Sequence, residues 1–156
     1  MPGYGIQAIG DGSSLISWEW VDKMLSKARN YWISTTRPDG RPHAVPVWGV
    51  WREGAFFFGT GKRSQKERNL KNNTWLVVHL ESGDEVIIIE GRVERVADPD
   101  LFANIAEVYS AKYDWSPLDG LEGELPEDPY YRLKPEIAFA WTEAEFPETA
   151  TRYRFS

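Results

Sequence analysis

The sequence predicts a mainly β fold in which six or seven antiparallel strands form a small barrel with flanking helices. Two observations carry this prediction. Apolar runs rich in Val, Ile and aromatic residues recur along the 156 residues, and short turn signals separate most of them. Antiparallel strands joined by short turns can close on themselves and so protect their edges. A chain of this length is expected to form one domain, residues 1–156.

Composition limits the possible functions. Hydrophobic residues make up 42% of the chain and aromatic residues 14%, which is typical of a folded domain. No apolar stretch approaches the ~18 residues needed to cross a bilayer, and the N-terminus lacks a signal-peptide pattern, so we expect a cytoplasmic protein. The chain has no cysteine, which excludes thiol catalysis and disulfides. His43 and His79 lack a neighbouring carboxylate pattern, so we expect no metal site.

Local signals predict the first helix and the first hairpin. Ser17 can cap a helix whose apolar side chains recur at helical spacing: Trp18, Val21, Leu25 and Ala28. Residues 31–36 and 42–51 are typical of strands, and the turn signal Pro38-Asp39-Gly40 lies between them. We therefore expect these two strands to pair as a hairpin.

A basic segment follows the next predicted strand, residues 55–60. Ser64 and Glu67 have the spacing of a capping box, which places a helix N-terminus near Ser64, and this helix is predicted to end near residue 73. Five cations crowd into ten residues of a chain with a formal net charge of -6: Lys62, Arg63, Lys66, Arg68 and Lys71. Backbone N–H groups at a helix N-terminus attract anions, so the segment is predicted to hold phosphate. A nucleic-acid surface would need a wider basic face, and a merely solvated helix face remains the alternative.

The second half of the chain completes the predicted barrel. Residues 75–81 and 85–96 should pair across Ser82-Gly83-Asp84, and Asp98-Pro99 is typical of a helix start. That helix is predicted to run to about Lys112, with an apolar stripe of Leu101, Ile105, Val108 and Tyr109. Residues 114–129 contain six acidic and no basic residues, which predicts a long exposed loop acting as a lid or a partner contact. Residues 136–141 and 149–155 should form two closing strands.

Three motifs, taken in chain order, resemble the pyridoxamine 5'-phosphate oxidase-like split-barrel superfamily of flavin and deazaflavin oxidoreductases. They are Thr35-Thr36-Arg37-Pro38-Asp39-Gly40-Arg41-Pro42-His43, then Pro46-Val47-Trp48, then Thr60 followed by Lys66-Glu67-Arg68-Asn69-Leu70. Within this group the chain looks most like the reductases that use the deazaflavin coenzyme F420. The resemblance implies an FMN-binding split barrel that forms a homodimer, with two cofactor sites at the subunit interface.

The resemblance also assigns residues to the cofactor. It implies that the ring lies against backbone of Val45, Pro46, Val47 and Trp48, and that Thr60, Ser64, Lys66 and Arg63 bind the phosphate side. A proline lacks a backbone donor, so Pro46 independently predicts an edge strand or a bulge. Strand alternation would put Val45 and Val47 on one face and Pro46 and Trp48 on the other.

Several aromatic and polar residues have a plainer interpretation. Trp48, Trp51 and Trp141 are expected to pack in the barrel or dimer core, although Trp141 could also approach the ring. His43 is expected to be an exposed polar residue beside the hairpin turn, and His79 is likewise not assigned a catalytic role.

The implied reaction is transfer of a hydride from the reduced deazaflavin to a small unsaturated substrate. Catalytic residues stay unassigned, because Tyr31, Tyr109 and Tyr113 are equally good candidates for a proton donor. FMN is the alternative cofactor on the same fold. The run Lys62-Arg63-Ser64-Gln65-Lys66 lacks the paired Arg-Lys of the pyridoxamine phosphate oxidases, which disfavours pyridoxal phosphate synthesis. Two further alternatives are a non-enzymatic carrier of flavin or haem, with His43 or His79 as axial ligand, and an inactive scaffold.

Overall fold

A nine-stranded antiparallel sheet dominates the computed structural model, which describes residues 15–156. Its strands are β1 (Tyr31–Thr36), β2 (Pro42–Val47), β3 (Val50–Arg52), β4 (Ala55–Gly59), β5 (Trp75–His79), β6 (Glu85–Arg95), β7 (Tyr130–Leu133), β8 (Ile137–Thr142) and β9 (Thr151–Arg154). Three α-helices flank the sheet: α1 (Trp18–Lys27), α2 (Gln65–Asn72) and α3 (Pro99–Tyr113). The predicted class, a mainly β fold with flanking helices, is confirmed. Among the described residues, no helix has the length and apolar character needed to cross a membrane.

Each helix begins where its capping residue predicted. The side chains of Ser17, Ser64 and Asp98 each accept a hydrogen bond from a backbone N–H two or three residues further on. The capping box of α2 is only half formed, because Glu67 does not reach back to Ser64. Its carboxylate is buried instead and accepts a hydrogen bond of 2.6 Å from the Tyr131 hydroxyl. This contact ties the first turn of α2 to the barrel wall.

The strands follow one hydrogen-bonded path, β2-β1-β5-β6-β7-β4-β3, and β8 and β9 branch from β6. The predicted hairpin of β1 and β2 is confirmed, with Trp32 opposite Pro46. Its turn is closed by a 2.8 Å hydrogen bond from Gly40 N to Arg37 O, and Gly40 adopts a φ of +89° that glycine tolerates well. Because β2 ends the path, the edge position predicted from Pro46 is also confirmed.

The strand predicted over residues 42–51 is in fact two strands at opposite ends of the sheet path. β2 stops at Val47, and β3 starts at Val50 and pairs with β4. Side chains of α3 hold the segment between β2 and β3 in place. The Gly49 N–H donates to the Tyr113 hydroxyl at 3.0 Å, and the Gly49 carbonyl accepts from Lys112 Nζ at 2.9 Å. Strand periodicity could not reveal this break, because its cause lies in a helix more than sixty residues away.

The strand β7 occupies a stretch for which the sequence predicted no element. It pairs with β4 on one side and with β6 on the other, so it closes one half of the barrel. Its four residues, bounded by Pro129 and Pro135, are too few to give a clear alternating pattern. The sequence predicted seven strand segments. Division of residues 42–51 into two strands adds one, and β7 adds another, which gives the nine strands observed. Other element ends differ from prediction by only one or two residues.

β6 changes partner along its length, and this change splits the barrel. Residues 85–90 pair with β8, whereas residues 93–95 pair with β7. The chain that connects β7 to β8 crosses β6 at Gly91. A Cβ built on Gly91 would lie 2.4 Å from the carbonyl oxygen of Lys134. The missing side chain therefore allows the two parts of the sheet to diverge here.

Two apolar clusters fill the fold. The larger lies inside the barrel under α1 and includes the fully buried rings of Tyr31, Phe56 and Phe58. The smaller joins α3 to β3 and β4 through residues such as Phe57 and Ile105. The acidic loop, residues 114–129, carries no helix or strand, as predicted. It is only partly exposed, because its apolar side chains pack on the smaller cluster: Leu118, Leu121 and Leu125.

Candidate functional site

A cleft of about 320 Å³ opens between the end of β2, the end of β4 and α3. It is lined by Val47, Trp48, Gly59, Thr60, Gly61, Lys66, Tyr109, Trp115, Asp128 and Tyr130. Four of the eight residues that the resemblance assigned to a cofactor are therefore brought together: Val47, Trp48, Thr60 and Lys66. The two strand ends supply one wall, and the loop that follows β4 delivers the hydroxyl and the cation.

The other four assigned residues flank the cleft. Ser64 caps α2, and its Oγ lies 2.7 Å from Thr60 Oγ1, directly behind the lining. Val45 faces inward and packs against the barrel core, whereas Pro46 is exposed on the opposite face of β2. Arg63 is exposed and forms no ion pair with any residue in the range 15–156.

Trp48 forms a flat aromatic wall of the cleft and is not part of the barrel core. It is 41% exposed, and its ring stacks on Tyr113 with centroids 4.5 Å apart and planes 9° apart. The Arg29 guanidinium lies 5.6 Å from the Trp48 ring centroid, and the exposed Trp115 ring lies at 6.5 Å. Strand alternation predicted that Val47 and Trp48 lie on opposite faces of one strand. Both side chains line the cleft, because β2 ends at Val47 and Trp48 lies outside the strand. By contrast, Trp51 is 6% exposed and belongs to the barrel core, as expected.

Helix α3 holds this wall in position. The Tyr109 hydroxyl lies 3.4 Å from the carbonyl oxygens of both Trp48 and Phe57 and can donate to either one. Burial, followed by the neighbouring Tyr130 and Tyr113, raises the pKa of Tyr109 well above its ordinary value, so the phenol stays protonated. Tyr109 lines the cleft, whereas the other two tyrosines considered as proton donors, Tyr31 and Tyr113, do not.

The five clustered cations do not contribute equally to the site. Three of them already have partners: Lys62 pairs with Glu127, Lys71 with Glu67, and Arg68 donates to Gln65 and to the Arg63 carbonyl. Lys66 lines the cleft and forms no ion pair within residues 15–156. The charge available to a ligand in the cleft is therefore concentrated on Lys66.

The expectation for His43 was wrong. This side chain is partly buried on the inward face of β2, and its Nδ1 atom is buried without a hydrogen-bond partner among the described residues. Burial, followed by the charges of Arg37 and Lys66, lowers the pKa of His43 below its ordinary value. The imidazole is therefore neutral at pH 7 and faces a cationic neighbourhood.

The acidic loop reaches the cleft at both of its ends, through Trp115 and Asp128. Asp128 Oδ1 accepts a 2.8 Å hydrogen bond from the Lys62 N–H, and Glu127 pairs with the Lys62 amine. The Thr60 N–H donates to the Pro129 carbonyl at 3.0 Å. No site role was predicted for Trp115, Asp128 or Tyr130, because no local pattern connects them with partners that lie far away in the chain.

Lys62→Met should loosen this end of the loop without unfolding the protein. The Lys62–Glu127 pair is exposed, so we expect little change in the unfolding midpoint. Hydrogen exchange of the amides in residues 124–129 should become faster, as measured by mass spectrometry. Arg41→Met is the matched control, since it removes an equally exposed pair with Asp39 at the hairpin turn. Unchanged exchange in the Lys62 variant would contradict this role.

Lys112 gives a testable dependence of stability on pH. Its amine donates to the Tyr31 hydroxyl at 2.8 Å and to the Gly49 carbonyl at 2.9 Å, and it has no carboxylate partner in the described chain. Burial, followed by the charge of Arg29, lowers the pKa of Lys112 from 10.5 to about 8. Between these two values the unfolded chain holds a proton that the folded chain has released, so raising the pH stabilises the fold.

We therefore expect wild type to gain stability relative to Lys112→Met as the pH rises from about 8 to 10.5. The gain should be roughly 1 to 2 kcal/mol once partial exposure of the amine is allowed for. Urea unfolding at several pH values measures the difference in free energy of unfolding between the two proteins. Groups that titrate alike in both proteins do not contribute to this difference. A difference that does not vary with pH would contradict the lowered pKa.

Comparison with known sequences decides the family. The sequence model of pyridoxamine 5'-phosphate oxidase matches residues 18–142, a range that contains every residue assigned to the site. The chain belongs to this family. The pyridoxamine 5'-phosphate oxidase fold accounts for the split barrel seen here, and the resemblance found in the sequence is confirmed. No curated protein is significantly similar to the chain in sequence.

Solved structures of similar fold include proteins with different names. A conserved hypothetical protein from Mycobacterium tuberculosis has a TM-score of 0.70 at 21% identity, covering 81% of this chain and 85% of its own. A structure named F420 reductase has a TM-score of 0.55 at 26% identity, covering 74% of this chain and 94% of its own. A heme storage protein from Vibrio cholerae has a TM-score of 0.62 at 17% identity, with coverages of 76% and 89%. The first and the third show the fold alone.

The cleft of this pyridoxamine 5'-phosphate oxidase family member fits a flavin-type group. A planar ring needs a flat apolar wall, which Trp48 supplies, and a phosphate needs donors and a cation, which Thr60, Ser64 and Lys66 supply. A second groove of about 330 Å³ lies beyond β4, with Arg52, Arg132 and Lys134 on its rim. None of the assigned residues lines that groove.

Proposed function

We propose that this protein is an oxidoreductase that binds the deazaflavin F420 in the cleft and serves hydride transfer to a small unsaturated substrate. FMN is the alternative cofactor. One observation carries the proposal: a single cleft contains both the flat Trp48 ring and the Lys66 cation, which has no ion-pair partner within residues 15–156. The likeness to a structure named F420 reductase supports the choice of cofactor.

The residues of the cleft divide into two groups in this proposal. Backbone of residues 45–48 and the Trp48 ring hold the tricyclic ring. Thr60, Ser64, Lys66 and Arg63 hold the phosphate side, where the N-terminus of α2 adds a favourable dipole. When bound, the deazaflavin supplies the hydride, and the protein supplies position and exclusion of water.

Substrate would approach over the ring from the side on which Trp115 and the acidic loop lie. Aromatic side chains on this side favour a planar acceptor, because stacked rings gain both buried area and favourable quadrupole contacts. Tyr109 is protonated and borders the cleft, yet its hydroxyl is engaged by backbone carbonyls. We therefore propose it as a residue that positions the Trp48 segment, and the proton donor stays unassigned.

We further propose that the protein forms a homodimer through one face of the sheet. Side chains on this face alternate with buried core residues and form one continuous row across five strands: Pro46, Trp32, His79, Ile88 and Phe139. Trp141 projects from the same face of β8, outside both core clusters and outside the cleft. An apolar sheet face of this extent is typical of a surface that another protein covers.

Sedimentation velocity tests the dimer. Phe139→Arg places a charge in the middle of the row and should shift the protein from dimer to monomer at micromolar concentration. Glu148→Gln, in an exposed loop, raises the net charge by the same single unit and is the control for the change in charge. A wild-type protein that sediments as a monomer would refute the dimer.

Parallel titrations with F420 and FMN, followed by ring fluorescence, test the cofactor. Selective binding of F420 at micromolar concentration or below supports the proposal, and preference for FMN would replace the cofactor. Binding of neither would refute the proposed function. We do not propose a haem carrier, because neither His43 nor His79 lines the cleft.

A further inference from the structure

We propose that the groove beyond β4 is a second ligand site, which takes an amphipathic anion with an apolar body and one carboxylate or phosphate head. The groove has a volume of about 330 Å³. Small-molecule sites typically enclose roughly 300 to 1,000 Å³, so the groove is large enough for such a ligand. It shares no lining residue with the cleft, so the inference goes beyond the proposed function and does not rest on it.

The floor of the groove is apolar. Ala55 and Phe57 lie on the face of β4 that packs toward α3, whereas Phe56 between them points into the barrel core. Ile105 of α3 completes the floor, and Ala55, Phe57 and Ile105 are each 7% exposed or less. Because Gly54 and Ala55 carry no long side chain, they leave open space above the floor.

Two partly exposed apolar side chains form the walls. Leu101 lies in the first turn of α3, and Phe155 is 37% exposed on the opposite side of the groove. The Phe155 ring packs against the Trp18 ring with centroids 4.9 Å apart, and its N–H donates to the Glu136 carbonyl at 3.1 Å. These contacts hold the wall in place without a ligand. A preformed apolar groove favours a ligand with an apolar body.

Strand register places cations around this floor. Arg132 lies directly opposite Phe57 in the pairing of β4 with β7, and Arg52 lies opposite Ala55 in the pairing of β3 with β4. Residues directly opposite in a sheet share a face, so both guanidinium groups border the floor. Lys134 also lines the groove. The chain has a formal net charge of -6, so three cations around one groove are a local reversal of its overall charge.

These cations keep hydrogen-bond donors that no residue of the described chain fills. Arg132 donates Nε and Nη2 to a single oxygen of Glu94 and has no other hydrogen-bond partner within residues 15–156. Lys134 Nζ lies 3.7 Å from the same Glu94 oxygen. Arg52 Nε lies 3.8 Å from Glu53, which is beyond hydrogen-bond distance. Three cations therefore face two carboxylates, and the spare N–H groups suit one anionic head.

Floor and rim together select the class of ligand. An uncharged apolar molecule would leave the donors of the rim unused, and a polyanion would be repelled by Glu53 and Glu94. A single anionic head on an apolar body satisfies both parts of the groove.

Amide NMR on the full-length protein tests the site. The probes are octanoate and octyl phosphate, each below its micelle concentration, with 1-octanol as the probe that lacks the charge. We expect saturable shifts of backbone amides in residues 52–57 and 101–105, and binding of 1-octanol weaker by roughly tenfold or more. The anion that binds more tightly identifies the preferred head. Saturable binding of neither anion, shifts confined to other parts of the chain, or equal affinity for octanoate and 1-octanol would overturn the site.

Charge variants test the rim. Arg132→Gln and Arg52→Gln should each raise the dissociation constant of the better anion by roughly tenfold, because each removes charge-assisted donors. Arg92→Gln is the matched control, since the Arg92 guanidinium is likewise held by one carboxylate, that of Glu136, but does not line the groove. Its effect should be less than about twofold. Equal losses in all three variants would show that affinity follows overall charge, which contradicts the proposal.

Two further variants test the position of the ligand. Leu101→Glu adds a carboxylate to the wall of the groove and should abolish binding of the anion. The fold should persist, because a negative charge in the first turn of a helix is favourable. Lys66→Ala alters the cleft alone and should leave the dissociation constant of the anion unchanged. Wild-type affinity in Leu101→Glu, or a loss of affinity in Lys66→Ala, would place the anion outside the groove and overturn the site.

Discussion

Lys66→Ala should weaken binding of the cofactor by roughly 1.5 to 3 kcal/mol, which is about 10- to 150-fold in Kd. Lys66 lines the cleft and has no competing ion pair among the described residues, so its charge is available to a phosphate. The same change should leave the fold intact, because the side chain is partly exposed. Fluorescence titration with F420 and with FMN measures the loss.

Arg68→Ala is the matched control for this variant. It removes the same charge from the same helix, but the Arg68 guanidinium is engaged by Gln65 and by the Arg63 carbonyl and does not line the cleft. We expect its effect on affinity to be less than threefold. If both variants lose affinity equally, the site responds to overall charge and the assignment of Lys66 is wrong.

Gly91→Ala should lower the free energy of unfolding by roughly 3 kcal/mol. The added Cβ would lie 2.4 Å from the backbone carbonyl oxygen of Lys134, and 3.0 Å from a Leu133 methyl group. A backbone carbonyl cannot rotate away as a side chain can, so the strand connection between β7 and β8 must move. Urea denaturation measures the loss.

Gly83→Ala provides the comparison for the same chemical change. A Cβ on Gly83 meets nothing within 4 Å, and its φ lies outside the left-handed region. Its stability should stay within about 0.5 kcal/mol of wild type. Equal stability of the two variants would show that the crossing at Gly91 has room for a side chain, which contradicts the geometry described above.

Local chemistry predicted the elements of this fold well. Ser17, Ser64 and Asp98 cap helices because a side-chain oxygen can satisfy a free N–H only a few residues away. The hairpin turn at Gly40 follows from the same kind of short-range rule. Strand β7 and the division of residues 42–51 escaped prediction, because both depend on partners from distant elements.

The candidate site was predictable in part. Thr60, Ser64 and Lys66 stand close together in the sequence, and the structure confirms that they surround one helix start. Trp115, Asp128 and Tyr130 reach the cleft only because the acidic loop folds back onto α3 and β4. The buried nitrogen of His43 could not have been inferred either, since strand position alone does not report what covers a side chain.

The sequence by itself determined the capped helices, the turn-linked strands, the basic segment at the start of α2 and the family to which the chain belongs. These features depend on hydrogen bonds and periodicities that span a few residues. Tertiary structure alone decided which cations of the described chain form ion pairs, where Trp48 lies and how β6 divides at Gly91. Each of these depends on contacts between residues dozens of positions apart, and no local propensity specifies such contacts.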